Sequence, residues 1–219
     1  MTDIAASAEL MDRIYRRQRH LYDFTRKYYL LGRDRLIRRL TPPAGSRVLE
    51  IGCGTARNLV VAAQAYPDVH FFGIDISAEM LETARGVIER EGLAPYVRLA
   101  RADAVTFDPA LRFGVPGFSR IFVSYTLSMM PGWQAVLARA LTWLGPEGEL
   151  HIVDFGGQER LPGWFRAALR KWLALFHVTP RDLLESVLTL EGLRCGALTT
   201  FERPYRGYAQ YAVCRKLPC

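Results

Sequence analysis

The alternation of hydrophobic and polar positions changes character near residue 46. Upstream, apolar residues recur at helical spacing over about 8–20 and 27–40, with a break around Tyr22-Asp23-Phe24-Thr25. Thr41-Pro42-Pro43-Ala44-Gly45 closes the second helix, because proline lacks an amide donor and disfavours helix in the residue before it. Residues 1–43 therefore read as a helical cap and 44–219 as the main domain. From Ser46 short β-branched runs alternate with amphipathic stretches. Strands are expected at 47–51, 69–75, 96–100, 120–124 and 149–154, and helices at 56–65, 77–89 and 131–144. Ser77 caps the second of those helices, although Met80 stands where a full capping box has Glu or Gln. Such alternation predicts a parallel sheet with helices on both faces. After Pro180 the order changes to a helix at 181–190 and two strands, 197–202 and 208–215. Only Arg203-Pro204-Tyr205-Arg206-Gly207 separates them, so they should pair antiparallel as a hairpin at the sheet edge.

Half of the 219 residues are hydrophobic, enough for a substantial core. No apolar run reaches the length of a membrane span, and the first residues lack the basic-then-apolar layout of a secretory signal. Cys53, Cys195, Cys214 and Cys219 form no metal-binding or disulfide pattern, so no metal is expected and the cytoplasm is the expected compartment.

Charge sharpens this picture. Ten basic residues and only Asp23 and Asp34 lie between Arg13 and Arg39, so that segment alone carries +8 of a total of +7. A second run, Arg160 to Arg181, holds five cations and no acid. Such regions suit nucleic acid, anionic lipid or acidic substrates, and charge alone does not choose among them.

Candidate chemistry begins where the first strand runs into Glu50-Ile51-Gly52-Cys53-Gly54-Thr55-Ala56-Arg57. Glycines at a strand-to-helix turn let backbone approach a ligand, and the helix N-terminus offers unpaired amides. The dinucleotide pattern G-x-G-x-x-G fails, because Arg57 occupies the third glycine position. The second strand ends in Asp75, where a carboxylate can accept from both hydroxyls of a ribose. Asp103 follows the third strand and can accept from an exocyclic amino group. Together these features point to an adenosyl ligand without a pyrophosphate.

The string Val48-Leu49-Glu50-Ile51-Gly52-Cys53-Gly54-Thr55-Ala56 resembles the glycine loop of the class I S-adenosylmethionine-dependent methyltransferases, with Ala56 in place of a frequent third glycine. The resemblance runs from Arg47 onward. It implies a Rossmann-like fold, a seven-stranded mostly parallel sheet with an antiparallel C-terminal strand, and S-adenosyl-L-methionine as cofactor. It places Gly52, Cys53 and Gly54 against the methionine part, Asp75 on the ribose, Ile76 on the adenine face and Asp103-Ala104 at the adenine end. Glu50, Ser124 and, from the cap, Thr25 and Arg33 complete the expected cofactor contacts. Arg33 is the candidate for the cofactor carboxylate, since a guanidinium grips a carboxylate bidentately.

The cap should select the methyl acceptor. Four of the ten tyrosines, Tyr15, Tyr22, Tyr28 and Tyr29, fall within fifteen residues of it. The run from Tyr22 to Ile37 is similar to the bacterial diacylglyceryl-homoserine N-methyltransferases of betaine-lipid synthesis, which methylate a lipid-linked amine three times. That similarity implies Tyr22, Tyr28 and Tyr125 at the reacting centre, with Tyr15, Arg26 and Ser128 on the substrate. Aromatic faces suit an amine that becomes a fixed cation as methyls accumulate. The stretch after the fourth strand, Ser124-Tyr125-Thr126-Leu127-Ser128, lacks the acidic or Asn-Pro-Pro motif of enzymes acting on nucleic-acid amines, so no nucleic-acid partner is expected. Met129 and Met130 read as core filler. A soluble amine or a quinone as acceptor, and a non-catalytic cofactor- or RNA-binding module, are the other readings. In the segment 161–176, Phe165, Leu169, Trp172 and Phe176 share one helical face beside Arg166, Arg170 and Lys171. Such a helix either docks on the sheet or lies in a membrane interface. The lipid resemblance favours a peripheral association with the inner face of an anionic membrane.

Overall fold

The computed structural model describes residues 30–218. After a first helix α1 (Arg33–Arg39), the chain alternates β1 (Arg47–Ile51), α2 (Arg57–Ala65), β2 (His70–Asp75), α3 (Ala78–Arg90), β3 (Val97–Arg101), α4 (Pro109–Phe113), β4 (Phe118–Ser124), α5 (Trp133–Thr142) and β5 (Leu144–Phe155). Two consecutive helices, α6 (Gly163–Ala174) and α7 (Leu184–Arg194), precede β6 (Ala197–Glu202) and β7 (Ala209–Lys216). The strands form one sheet in the order β3-β2-β1-β4-β5-β7-β6. All neighbours among the first five are parallel, while β7 runs antiparallel to both β5 and β6. The expected edge hairpin is therefore present, with its second strand inserted next to β5. The order reverses between β1 and β4, and at such a switch point the carboxyl ends of the strands open into a crevice.

Helices cover both faces. On one, Leu49, Ile51, Ile121, Val123, Leu150 and Ile152 pack with Leu137 and Leu141 of α5 and Leu184 and Leu188 of α7. On the other, Val48, Phe71, Phe122 and Val153 pack with Leu36 and Ile37 of α1, Leu59 of α2 and Leu81 of α3. The two strand sets alternate along each strand, as a period of two requires. Met129 and Met130 pack against the cores, in keeping with a filling role.

Local chemistry sets most boundaries. The Ser77 hydroxyl accepts from the Met80 amide at 3.2 Å, a one-sided cap on α3. Asp108 accepts from Ala110 and Leu111 and Pro109 opens α4, a short helix absent from the expected pattern although Asp-Pro is a start signal. The expected helix from 27 to 40 begins later. Leu30 is not helical, Leu31 and Gly32 form a turn, and Gly32 sits at φ 92, where only glycine is comfortable. The first expected helix, 8–20, lies outside the described residues.

Of the two orientations open for the segment 161–176, the structure takes the docked one. Phe165, Leu169, Trp172 and Phe176 are half-buried against the core shared by α1, α2 and α3, so that face of α6 docks on the protein. Among the described residues, no helix is long and apolar enough to cross a membrane.

Candidate active site at the carboxyl ends of the strands

The loop after β1 is built for close approach. Gly52 has φ +72, and a Cβ there would lie 2.7 Å from Thr126 Cγ2, so both backbone and space require glycine. Its amide and that of Cys53 donate to the Ile74 carbonyl at 2.8 and 3.0 Å, which holds the turn against β2. Across the crevice the Thr126 hydroxyl donates to the Ile51 carbonyl at 3.2 Å. Ala56 holds a left-handed φ of 64 at the N-cap of α2, a conformation costing an L-residue about 1–2 kcal/mol. No side chain caps this helix end, so its first amides face the loop.

Asp75 ends β2 and reaches back to the glycine loop. Oδ2 accepts from the Gly54 amide at 2.8 Å and Oδ1 from Ser77 at 2.9 Å. A carboxylate offers about four acceptor positions, enough to serve two amides and a pair of hydroxyls. Ile76 beside it is half-buried, its carbonyl accepting from Arg101. Asp103 Oδ1 accepts from Val105 at 2.7 Å in a tight turn, and Ala104 is buried in the adjoining core. Cys53 is buried, and burial first, then the charges of Asp75 and Glu50, pushes its thiol well up, so it stays protonated and is no nucleophile.

Glu50 is the unusual group. It is buried on β1, with Oε1 accepting from Asn58 Nδ2 at 2.8 Å and Oε2 buried without a hydrogen-bond partner. Burial pushes the carboxyl up to about 8; the Asn58 hydrogen bond opposes this and the charge of Asp75 adds to it. The Ser124 hydroxyl, at the end of β4, is likewise buried and unpartnered. A buried carboxyl oxygen that lacks a donor matches an ammonium group. The glycine turn, the Asp75 carboxylate and this orphaned oxygen together fit the amino-acid and ribose ends of S-adenosylmethionine.

Beyond β4 lies a buried aromatic group. Tyr125 follows β4 with a left-handed φ of 57, and its hydroxyl donates to the Leu31 carbonyl at 2.6 Å. Its ring lies 4.8 Å from that of Phe155, and Phe155 lies 6.0 Å from Tyr208, both edge to face. Burial, with the nearby charge of Asp154, holds the Tyr125 phenol well above its usual range, so it is a donor and not a base at neutral pH. Arg33 opens α1, half-buried, and its positive charge lowers the pKa of both Glu50 and Tyr125. Ser128 is buried; its amide donates to Asp154 Oδ2 at 3.0 Å while its hydroxyl has no partner. Arg57 pairs with Asp34 at 2.8 Å, which lowers the Asp34 pKa and ties α1 to the helix after the glycine loop.

The structure thus brings together Glu50, Gly52, Cys53, Gly54, Asp75, Ile76, Asp103, Ala104, Ser124, Tyr125 and Ser128 along the carboxyl ends of β1–β4, with Arg33 alongside. Tyr15, Tyr22, Thr25, Arg26 and Tyr28 lie outside the described residues. Sequence reasoning missed Phe155, Tyr208, Asn58 and Asp154. Asn58 carried a signal, since it is the second residue of α2 and stands eight residues after the buried Glu50.

Residues 48–148 match the family described as a methyltransferase domain. The demethylmenaquinone methyltransferase of Listeria welshimeri is 27% identical over 154 residues, 68% of this chain and 63% of that enzyme. The phosphatidylethanolamine N-methyltransferase of Cereibacter sphaeroides is 33% identical over 135 residues, 62% of each chain. The chain therefore spans less than two thirds of the length of these relatives. Among solved structures, YcgJ from Bacillus subtilis superposes with a TM-score of 0.66 at 16% identity, covering 86% of this chain and 99% of that one. The S-adenosylmethionine-dependent methyltransferase SibL gives 0.68 at 21% identity, covering 92% and 57%. The fold is that of the class I methyltransferases. Within that fold, residues 48–148 are the part that matches a methyltransferase domain.

Proposed function

We propose that this protein is an N-methyltransferase that adds three methyl groups in succession to the amine of diacylglyceryl-homoserine, working at the inner face of an anionic membrane. The observation that carries it is the run of buried rings Tyr125, Phe155 and Tyr208 where β4 and β5 end and β7 begins, close enough to Arg33 to feel its charge. Each aromatic face stabilises a methylated ammonium by about 0.5–2 kcal/mol, and the fixed charge appears only as methylation proceeds. The similarity to an enzyme named for N-methylation of phosphatidylethanolamine supports a lipid-linked amine.

In this reading the bound cofactor supplies an electrophilic methyl group on a sulfonium. Glu50 takes its ammonium, Asp75 its ribose hydroxyls, Ile76, Asp103 and Ala104 its adenine, and Arg33 its carboxylate, with Gly52, Cys53, Gly54, Ser124 and Thr25 completing the cradle. The cap, residues 1–43, covers the acceptor with Tyr15, Tyr22, Arg26 and Tyr28, while Ser128 meets it from the sheet. An aliphatic amine of pKa about 10 is mostly protonated at neutral pH and must lose a proton before it attacks. Tyr125 holds its own proton and cannot be that base, so its part is to present a ring face and fix the cap. Positioning of the nitrogen about 3 Å from the methyl carbon supplies most of the acceleration.

The name of the Listeria relative favours a second reading, in which the acceptor is a demethylmenaquinone. Mass spectrometry of lipids from a host expressing the protein separates the two. Successive additions of one, two and three methyl masses to a homoserine lipid are expected; a methylated quinone with the homoserine lipid unaltered would overturn the amine reading.

A further inference from the structure

Between β4 and α5 the chain makes one turn of 3-10 helix, Leu127–Met129, preceded by Tyr125 and Thr126. Its leading residues are tied to the cofactor loop and to the cap. The Thr126 hydroxyl donates to the Ile51 carbonyl at 3.2 Å, its methyl fills the space that a Cβ on Gly52 would need, and Tyr125 donates to the Leu31 carbonyl. So short a turn leaves backbone groups over: Met129 and Met130 donate within it, while the Ser128 amide and three carbonyls need partners from outside.

Asp154 and Arg181 supply most of them. Asp154 is fully buried near the end of β5, with Oδ2 accepting from the Ser128 amide at 3.0 Å and Oδ1 from the Phe155 amide at 2.7 Å. Arg181, between α6 and α7, donates through Nε to the Leu127 carbonyl and through Nη2 to the Met130 carbonyl, each at 2.9 Å, so one guanidinium bridges the turn. The Thr179 amide donates to the Ser128 carbonyl between them at 2.9 Å. Arg181 is itself fixed from β7, where Gln210 Nε2 donates to its carbonyl at 3.2 Å and to that of Phe155 at 2.8 Å. A buried carboxylate is a poor source of stability, because desolvation offsets most of what its hydrogen bonds gain, so its use here is to fix geometry.

We propose that Asp154 and Arg181 are positioning residues for methyl transfer, which lock the turn 127–129 and with it the placing of Tyr125 and Thr126 beside the glycine loop. What Tyr125 faces rests on the acceptor reading above; the link from Asp154 through Thr126 to Gly52 does not. Burial pushes the Asp154 carboxyl up to about 6, opposed by hydrogen bonds from Phe155 and Ser128 and by the charge of Arg181. The groups whose charge it meets are Arg181 and, from the end of β4, the Tyr125 phenol, which keeps its proton. In mildly acid solution a proton turns one of its acceptor oxygens into a donor that opposes an amide, so the turn should loosen there.

The test compares the wild type with Asp154→Asn and Arg181→Lys in methyl transfer to diacylglyceryl-homoserine dispersed in detergent, at saturating cofactor. Asparagine keeps one acceptor oxygen, and lysine keeps the charge but not the two-pronged grip. In each variant kcat should fall about tenfold or more while KM for the lipid stays within about threefold, because misplacement acts on the transition state and not on binding. The wild-type kcat should change slope near pH 6, and that inflection should vanish in Asp154→Asn. Wild-type kcat in both variants, whatever their unfolding temperatures, would overturn the proposal, as would an inflection that survives in Asp154→Asn. If Asp154→Asn does not fold, the kcat of Arg181→Lys decides alone. Should the wild type transfer no methyl to this lipid, the acceptor reading fails by itself and hydrogen exchange decides the clamp. In Asp154→Asn the amides of 52–54 should then lose protection by about tenfold together with that of Ser128, whereas loss at Ser128 alone would overturn it.

Discussion

The Tyr125 hydroxyl donates to the Leu31 carbonyl at 2.6 Å, so the residue after β4 holds the turn that leads into α1. Three constraints meet there. Tyr125 is held in a left-handed conformation, Gly32 leaves only 3.3 Å between a would-be Cβ and Val153, and Arg33 follows at once. The strained backbone at Tyr125 aims its ring at Phe155 and its oxygen at the cap, two jobs that an extended residue at this point could not do together.

Tyr125→Phe removes that bond and leaves the ring. The loss of one hydrogen bond should lower stability by about 1 kcal/mol, or some 2–4 °C in unfolding temperature. Cofactor affinity by calorimetry should stay within twofold, while kcat/KM for the acceptor falls. An unchanged kcat/KM would separate the tether from acceptor positioning.

Asp75→Ala should weaken S-adenosylmethionine binding about a hundredfold, since each hydrogen bond to a charged partner is worth about 1.5–3 kcal/mol. It also strands the Gly54 and Ser77 amides. Asp75→Asn keeps one acceptor oxygen and should fall between the two. Wild-type affinity in the alanine variant would dismiss the ribose role.

Glu50 gives a pH signature. Its carboxyl titrates near 8 in the folded protein because it is buried, against about 4.5 when unfolded. Between those values the unfolded chain has released the proton and the folded one keeps it. The ligand-free protein should therefore lose stability as pH rises from about 4.5 to 8 and level off above. Glu50→Gln should flatten that slope in denaturant titrations while keeping the Asn58 contact. Cofactor affinity should rise over the same window in the wild type, because a bound ammonium favours the ionised form. An affinity independent of pH would place the ammonium elsewhere.

Glu149 behaves in the opposite sense. Burial raises its pKa, but the hydrogen bond from His151 and the charges of Arg120 and Arg215 outweigh burial and hold it at about 2. Its contribution is complete above about 4.5 and fades as pH falls toward 2. Glu149→Gln leaves Arg120 half-buried without its counter-charge and should cost about 3 kcal/mol at pH 7. Equal unfolding midpoints would mean that water serves the arginine as well.

Much of this was readable in the sequence. Strands 47–51 and 197–202 stand where the β-branched runs put them, because turn residues bound both sharply. Asp75 at the end of β2 and Asp103 just after β3 stand where the strand pattern puts them, each accepting from nearby backbone amides. The start of β5 was misplaced by five residues: Gly145-Pro146-Glu147-Gly148 reads as a turn, yet Leu144 already pairs with Phe118 across an irregularity. The Phe155–Tyr208 contact was hidden, since it exists only because β7 enters beside β5, a pairing between residues more than fifty apart. For α6 the helical wheel identified a real face but not its direction. Aromatic residues line both sides of that helix, and only packing tells which side is covered.

The cap poses the last prediction, and the length of the deletion decides whether it can be tested. Removing residues 1–40 would take out Leu36, Ile37 and Leu40, all fully buried against β1, β4 and the helices beside them. At about 2 kcal/mol each that loss approaches the whole stability of a typical domain, so inactivity would reveal nothing about the acceptor. Removing residues 1–29 keeps α1, its Arg57–Asp34 pair and the Tyr125–Leu31 bond. That shorter deletion should cost cofactor affinity by calorimetry no more than about tenfold, the share of the lost Thr25 contact, and reduce methyl transfer at least a hundredfold. Tyr22→Phe in the full chain should slow transfer with the unfolding temperature unchanged. A truncated protein that still methylates the lipid at the full rate would place the acceptor entirely within the rings of the sheet domain, and would take Tyr15, Tyr22, Arg26 and Tyr28 out of the site.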